Sequence, residues 1–179
     1  MVARSLGDAR PQGRTSRRTP RWLSGCRAGY VGVCAVMISA CSPAPACRVD
    51  PRFIDERVGN AQCVIVDQGR VLATRHRASG RYDLPGGRGN ASETAQCTAH
   101  RETWEEIGLN VIVGRPLTGY GTSWLYECSV ALEAAQAPAV PLRSKLELAG
   151  LEWVDPSQQQ PSDWRFPTQL RTIRRLLPD

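Results

Sequence analysis

The chain holds 179 residues, 41% hydrophobic and 22% charged, which is the length of one compact domain and a balance that excludes wholesale disorder. Aromatic residues make up 6%, too few for a broad stacking surface on single-stranded nucleic acid. The net charge of +6 sits entirely in residues 1–40, where seven arginines face Asp8; the remainder carries 16 bases and 16 acids, so no nucleic-acid partner is expected.

In chain order, residues 1–46 read as a leader, disordered or cleaved, ahead of a single domain over 47–179. Residues 1–27 are rich in Arg, Gly, Ser and Pro and have no apolar period. An apolar stretch, Tyr30 to Ile38, follows, and then the small residues Ser39-Ala40-Cys41. A basic start, a short apolar middle and a small-residue end are the parts of a secretory signal. Ile38-Ser39-Ala40-Cys41 also resembles a bacterial lipobox, which makes Cys41 the expected lipidation site. The expected location is therefore outside the cytoplasm, as a periplasmic or membrane-anchored lipoprotein. Cleavage after Ala44-Pro45-Ala46 is an alternative, and translation from Met37 would leave a cytoplasmic protein. The apolar run 28–46 is broken by Gly32, Ser39, Ser42, Pro43 and Pro45, so it is no membrane span.

Asn60 to Asp67 reads as a buried strand, Gln68-Gly69 as a turn and Arg70 to His76 as the antiparallel partner. Tyr82-Asp83-Leu84 is a short extended piece before Pro85-Gly86-Gly87. A helix is predicted from about Ala91 to Ile107, with Asn90 as N-cap, Glu93 at capping-box spacing and Gly108 as the stop. Strands are predicted over Asn110 to Val113, reaching as far as Tyr120, over Ser123 to Leu132 and over Leu146 to Val154. An amphipathic helix from Phe166 to Leu177 closes the chain, with Leu170, Ile173 and Leu177 as its apolar stripe. Strands interleaved with two helices predict a mixed sheet between helices. Of seven cysteines, Cys47, Cys63, Cys97 and Cys128 lie outside the leader. Export predicts two disulfides among them, and a reducing compartment four buried thiols. The expected pairs are Cys97–Cys128, helix to strand, and Cys47–Cys63.

The chemistry points to the first helix. Glu102, Glu105 and Glu106 stand at i, i+3 and i+4, which at about 100° per residue places them on one face. They repel one another, and they sit in the last turns, where the helix dipole disfavours anions by about 0.3–1 kcal/mol each. Divalent cations would neutralise the arrangement, and all-carboxylate donors suit Mg2+ or Mn2+ over zinc; a solvated acidic helix end is the alternative. Ala95 and Ala99 share that face and allow close packing against structure. His100 reads as packing. The preceding Leu84-Pro85-Gly86-Gly87-Arg88-Gly89 loop can present N–H groups to phosphate.

From Gly87 to Leu109 the sequence resembles the Nudix box: Gly87, five residues, Glu93, seven residues, then Arg101-Glu102-Thr103-Trp104-Glu105-Glu106-Ile107-Gly108-Leu109. Thr103, at an apolar position, is the one departure. The resemblance implies an α/β fold, a Nudix-type α/β/α sandwich around a central mixed β-sheet. It also implies a hydrolase that cleaves a diphosphate linkage in a small-molecule substrate with Mg2+ or Mn2+. Glu102, Glu105, Glu106 and the Gly87 backbone would hold metal, one of the three carboxylates, with Glu105 as the first candidate, would instead help deprotonate the attacking water, and Glu93 and Arg101 would orient loop and helix. Glu147 stands where relatives often carry a further catalytic acid; the alternative is a solvent-facing strand residue. Arg75 and Arg77 are candidate phosphate contacts or surface residues. The competing functional reading is a catalytically silent ligand-binding module on the same fold.

Overall fold

The computed structural model of the chain describes residues 45–120, 122–130 and 138–177. The leader expectations at Met37 and Cys41 lie outside the described residues. Among the described residues the elements in chain order are β1 (Asn60–Val64), β2 (Val66–Asp67), β3 (Arg70–His76), β4 (Tyr82–Asp83), β5 (Gly86–Gly87), α1 (Ala95–Ile107), β6 (Val111–Tyr120), β7 (Ser123–Val130), β8 (Leu148–Val154) and α2 (Pro167–Leu176). None of these helices is long and apolar enough to cross a membrane.

One sheet runs β5-β1-β7-β6 and is mixed: β1 and β7 are parallel, and the other pairings are antiparallel. In the second sheet β3 pairs β2 and β4 along one edge and β8 along the other, all antiparallel. The β2–β3 turn has φ of 48° at Gln68 and 74° at Gly69, the positive values that a two-residue I′ hairpin requires.

Alternation along β1 separates two apolar layers. Ala61, Cys63 and Ile65 join Ala95, Ala99 and Ile107 of α1, while Val64 joins Leu170 and Ile173 of α2. The helices therefore cover opposite faces. Burying Leu170 and Ile173 contributes about 1.5–3 kcal/mol each. Ala95 and Ala99, both fully buried, let α1 lie close on β1 and β5.

Two expectations are corrected here. The helix begins at Ala95, not Ala91: Ser92 is left-handed at φ 65°, which a helix cannot continue through, and Thr94 is the N-cap, its side chain accepting from the Cys97 amide. Asn90 and Glu93 still bond each other, as a turn ahead of the helix. Gly108 ends α1 as expected, left-handed at φ 71°.

The four cysteines do form two disulfides, but as Cys47–Cys97 and Cys63–Cys128, not Cys97–Cys128 and Cys47–Cys63. The parallel pairing of β1 with β7 puts Cys63 opposite Tyr126, so Cys128 on the same face comes within 5.4 Å Cα to Cα. The segment at Arg48–Asp50 meanwhile pairs with Val113, which carries Cys47 along the sheet to the first turn of α1.

Candidate active site

The last two turns of α1 and the short turn leading into β8 face each other across a cavity of about 230 Å³, lined by Glu102, Glu105, Glu106, Arg143, Ser144, Glu147 and Leu148. The structure thus brings Glu147 to the three helix carboxylates. It is not a strand residue; it ends the turn at Ser144–Leu146, immediately before β8. Ser144 joins the two walls, its hydroxyl donating to the Glu105 carbonyl at 2.7 Å.

The glycine loop closes the other side. A side chain at Gly87 would come within 2.6 Å of the Glu102 carboxylate, and one at Gly86 within 2.3 Å of the Ala61 carbonyl, so both positions admit only glycine without displacement. The Gly86 amide donates to Glu106 at 3.0 Å. That bond favours the carboxylate, but burial outweighs it, and with Asp83, Glu102 and Glu147 nearby the Glu106 pKa is pushed up to about 8. Burial also raises the pKa of Glu102, against the pull of Arg101.

Arg101 is the hub of this end of the helix. It donates to both oxygens of Glu93 at 2.9 Å, to Glu102 at 2.6 Å and to the Arg88 carbonyl at 2.9 Å. The Glu93 carboxyl also accepts from Asn90 and Thr98, and its pKa is lowered, chiefly by Arg101. One guanidinium therefore ties the loop at Arg88–Glu93 to the acidic face of α1.

The two other arginines do not line this cavity. Arg75 bonds Glu152 and the Tyr82 hydroxyl. Arg77 donates to the carbonyls of Lys145 and Leu148. His100 is buried, pairs with Asn110 at 2.9 Å and has its pKa lowered by burial, which fits its reading as packing. Sequence reasoning missed a buried polar network beneath the loop: Asp83 accepts from Gln62 at 2.9 Å and from Gln169 of α2 at 2.7 Å. A glutamine inside the apolar run Ala61-Gln62-Cys63 was the available signal.

Among the described residues, no three Asp, Glu, His or Cys side chains close around a point as a finished metal cage. The pocket is an open acidic wall, and its side-chain acceptors are four carboxylates and the Ser144 hydroxyl, all oxygens, with neither thiol nor imidazole among the lining residues. That donor set fits a hard cation that keeps several waters and shares phosphate oxygens, as Mg2+ does.

Comparison with known proteins gives a consistent family. The family model for the NUDIX domain matches residues 57–176. A MutT-like protein of Streptomyces ambofaciens is 42% identical over 62 residues, 35% of this chain and 40% of that protein's length. A NUDIX hydrolase structure from Nitrosomonas europaea superposes with a TM-score of 0.56 at 16% identity, covering 72% of this chain and 77% of that one. A UDP-X diphosphatase superposes with a TM-score of 0.54 at 16% identity, covering 70% and 66%. At such identities the likeness to the two structures is one of fold.

Proposed function

The chain belongs to the NUDIX domain family, and from that premise we propose that it is a pyrophosphohydrolase cleaving a diphosphate linkage in a nucleoside-diphosphate-linked or related organic pyrophosphate, with Mg2+ or Mn2+. The observation that carries this reading is the convergence of Glu102, Glu105, Glu106 and Glu147 on one cavity. A pocket that gathers four carboxylates, one of them buried enough to stay protonated near neutral pH, is costly without a cation to bind.

In this reading Glu102, Glu105 and Glu106, with the Gly87 backbone beside them, hold the metal. A bound Mg2+ or Mn2+ would acidify a water and offset charge on the phosphates. Glu105 is the least buried of the three, its side chain 37% exposed, which supports it as the carboxylate that takes a proton from an incoming water. Glu93 and Arg101 keep the loop and helix in register. Glu147 adds a fourth carboxylate from the opposite wall. Arg143, on the rim beside Glu105, is a cation among the described lining residues that could meet a substrate phosphate.

The two disulfides favour an oxidising compartment. With the lipobox-like Cys41 they support the proposal that the protein is exported and attached to a membrane surface. There, nucleotide-sugars, dinucleoside polyphosphates and isoprenoid diphosphates are the substrates to test first.

A screen of such diphosphates with Mg2+ and Mn2+ tests the activity. Wild type is expected to release phosphate products from at least one class, and Glu105→Gln to lose at least about 100-fold in kcat. Full activity in Glu105→Gln refutes the role of Glu105. No turnover of any diphosphate with either metal refutes the enzyme.

A further inference from the structure

We propose that Arg77 is a positioning residue that holds Glu147 in the acidic cavity by clamping the turn on either side of it; this rests on the hydrolase reading above. The guanidinium donates from Nε to the Lys145 carbonyl at 2.8 Å and from Nη2 to the Leu148 carbonyl at 3.1 Å. The Arg77 backbone amide donates to the Glu147 carbonyl itself at 2.7 Å. Three of the four carbonyls from residue 145 to 148 are thus held by one residue.

The neighbouring strands explain why such a clamp is needed. β3 and β8 pair regularly from Val71–Val154 to Arg75–Gly150, and the register then slips so that His76 faces Leu148 and Ala149 is left unpaired. Regular pairing therefore ends at Gly150, and Glu147 lies beyond the last strand pair, His76–Leu148. Among the described residues no side chain hydrogen-bonds the Glu147 carboxylate, so what the protein fixes is the backbone from which the side chain reaches the cavity. Arg77 stands at the start of the β3–β4 loop, itself braced by Gly80 and Arg81 bonding back to His76, and it reaches across to that turn. The rigid fork matters: one planar guanidinium spans two carbonyls about one turn apart, which a lysine ammonium on a flexible stem cannot reproduce.

The test compares wild type, Arg77→Ala, Arg77→Lys, Glu147→Gln and the double variant Arg77→Ala/Glu147→Gln. The measurements are steady-state kinetics on a diphosphate that wild type turns over, thermal midpoints, and calorimetric Mn2+ uptake without substrate. Arg77→Ala is expected to lose about 10- to 100-fold in kcat, as for residues that orient a ligand carboxylate. KM should move by less than about threefold, because the lost interaction belongs to the chemical step. Arg77→Lys should not restore kcat. In the Glu147→Gln background the same Arg77→Ala change should cost less than about twofold, because there is no carboxylate left to place. Mn2+ uptake should weaken in the same non-additive pattern, since Glu147 shares the cavity with the helix carboxylates.

Wild-type kcat in Arg77→Ala, full restoration by Arg77→Lys, an undiminished Arg77→Ala effect in the Glu147→Gln background, or wild-type behaviour of Glu147→Gln would each overturn the clamp. A loss of kcat accompanied by a fall in midpoint of more than about 4 °C would mark Arg77 as a stability residue and overturn it too. If wild type turns over no diphosphate, the hydrolase reading fails on its own, and the Mn2+ titrations alone uphold or reject the clamp.

Discussion

Thr103 fills the one position of the box motif where an apolar residue is usual, and it is fully buried with its hydroxyl unpartnered. A buried hydroxyl that loses its water without gaining a hydrogen bond costs about 1–3 kcal/mol. Valine has nearly the same shape and no such group. Thr103→Val is therefore expected to stabilise the protein by about 1 kcal/mol, seen as a rise of about 2–4 °C in the thermal midpoint. Activity should stay at the wild-type level, because Thr103 is buried and does not itself line the cavity. A lower midpoint would mean that the hydroxyl has a partner in solution. The neighbouring carboxylates show the reverse pattern. Glu102, Glu105 and Glu106 were legible from spacing because repelling groups on one helix face demand a reason. Arg77 was not legible as a clamp: its partners are backbone carbonyls of a turn about 70 residues away, and carbonyls leave no mark in a sequence.

The helix as a unit makes stability depend on pH. Glu106 is held at about 8, raised chiefly by burial, against an ordinary value of 4.5. Below pH 4.5 the carboxyl is protonated in both states, and its contribution to stability is fully present. Between 4.5 and 8 the unfolded chain releases the proton and the folded one keeps it, so stability falls as pH rises through that window. His100 acts in the opposite sense. Its pKa is lowered from 6.5 by burial, so its contribution is lost as pH falls. Comparison with Glu106→Gln separates the two. With chelator present, the midpoint of wild type relative to Glu106→Gln should decline from pH 5 to 8, and saturating Mg2+ should reverse the decline, because a cation favours the ionised carboxylate. A pH-independent difference between the two proteins would reject the buried, protonated Glu106. At this scale most of the architecture was readable: β1, the Gln68-Gly69 turn, β3, α2 and the end of α1 follow from alternation, apolar stripe and cap. The start of α1 was not, because asparagine and glutamate at capping-box spacing serve a turn as readily as a helix, and nothing local announces the left-handed Ser92. β4 and β5 have two residues each, too few for any period to show.

Across the whole domain, the two disulfides stitch different layers. Cys63–Cys128 joins neighbouring strands of the mixed sheet inside the core, and Cys47–Cys97 fastens the segment before β1 to the helix that carries the carboxylates. Their pairing could not be read in advance, because it depends on the parallel neighbourhood of β1 and β7, two strands far apart in the chain. The bridges close stretches of 50 and 65 residues, and each is expected to contribute about 2–4 kcal/mol by restricting the unfolded chain. Their vulnerability differs. Thiol–disulfide exchange needs access for the attacking thiolate; Cys47 is exposed and Cys97 half-buried, whereas Cys63 and Cys128 are buried. Mild dithiothreitol followed by alkylation and peptide mass mapping should therefore label Cys47 and Cys97 first. Cys63 and Cys128 should react only once denaturant opens the core. After the first stage the thermal midpoint should fall while the mixed sheet persists, because the core bridge still ties β1 to β7. Simultaneous labelling of all four cysteines under native conditions would show that the core opens as readily as the surface, and would remove the argument that the buried bridge holds the two strands on which the glycine loop and α1 are seated.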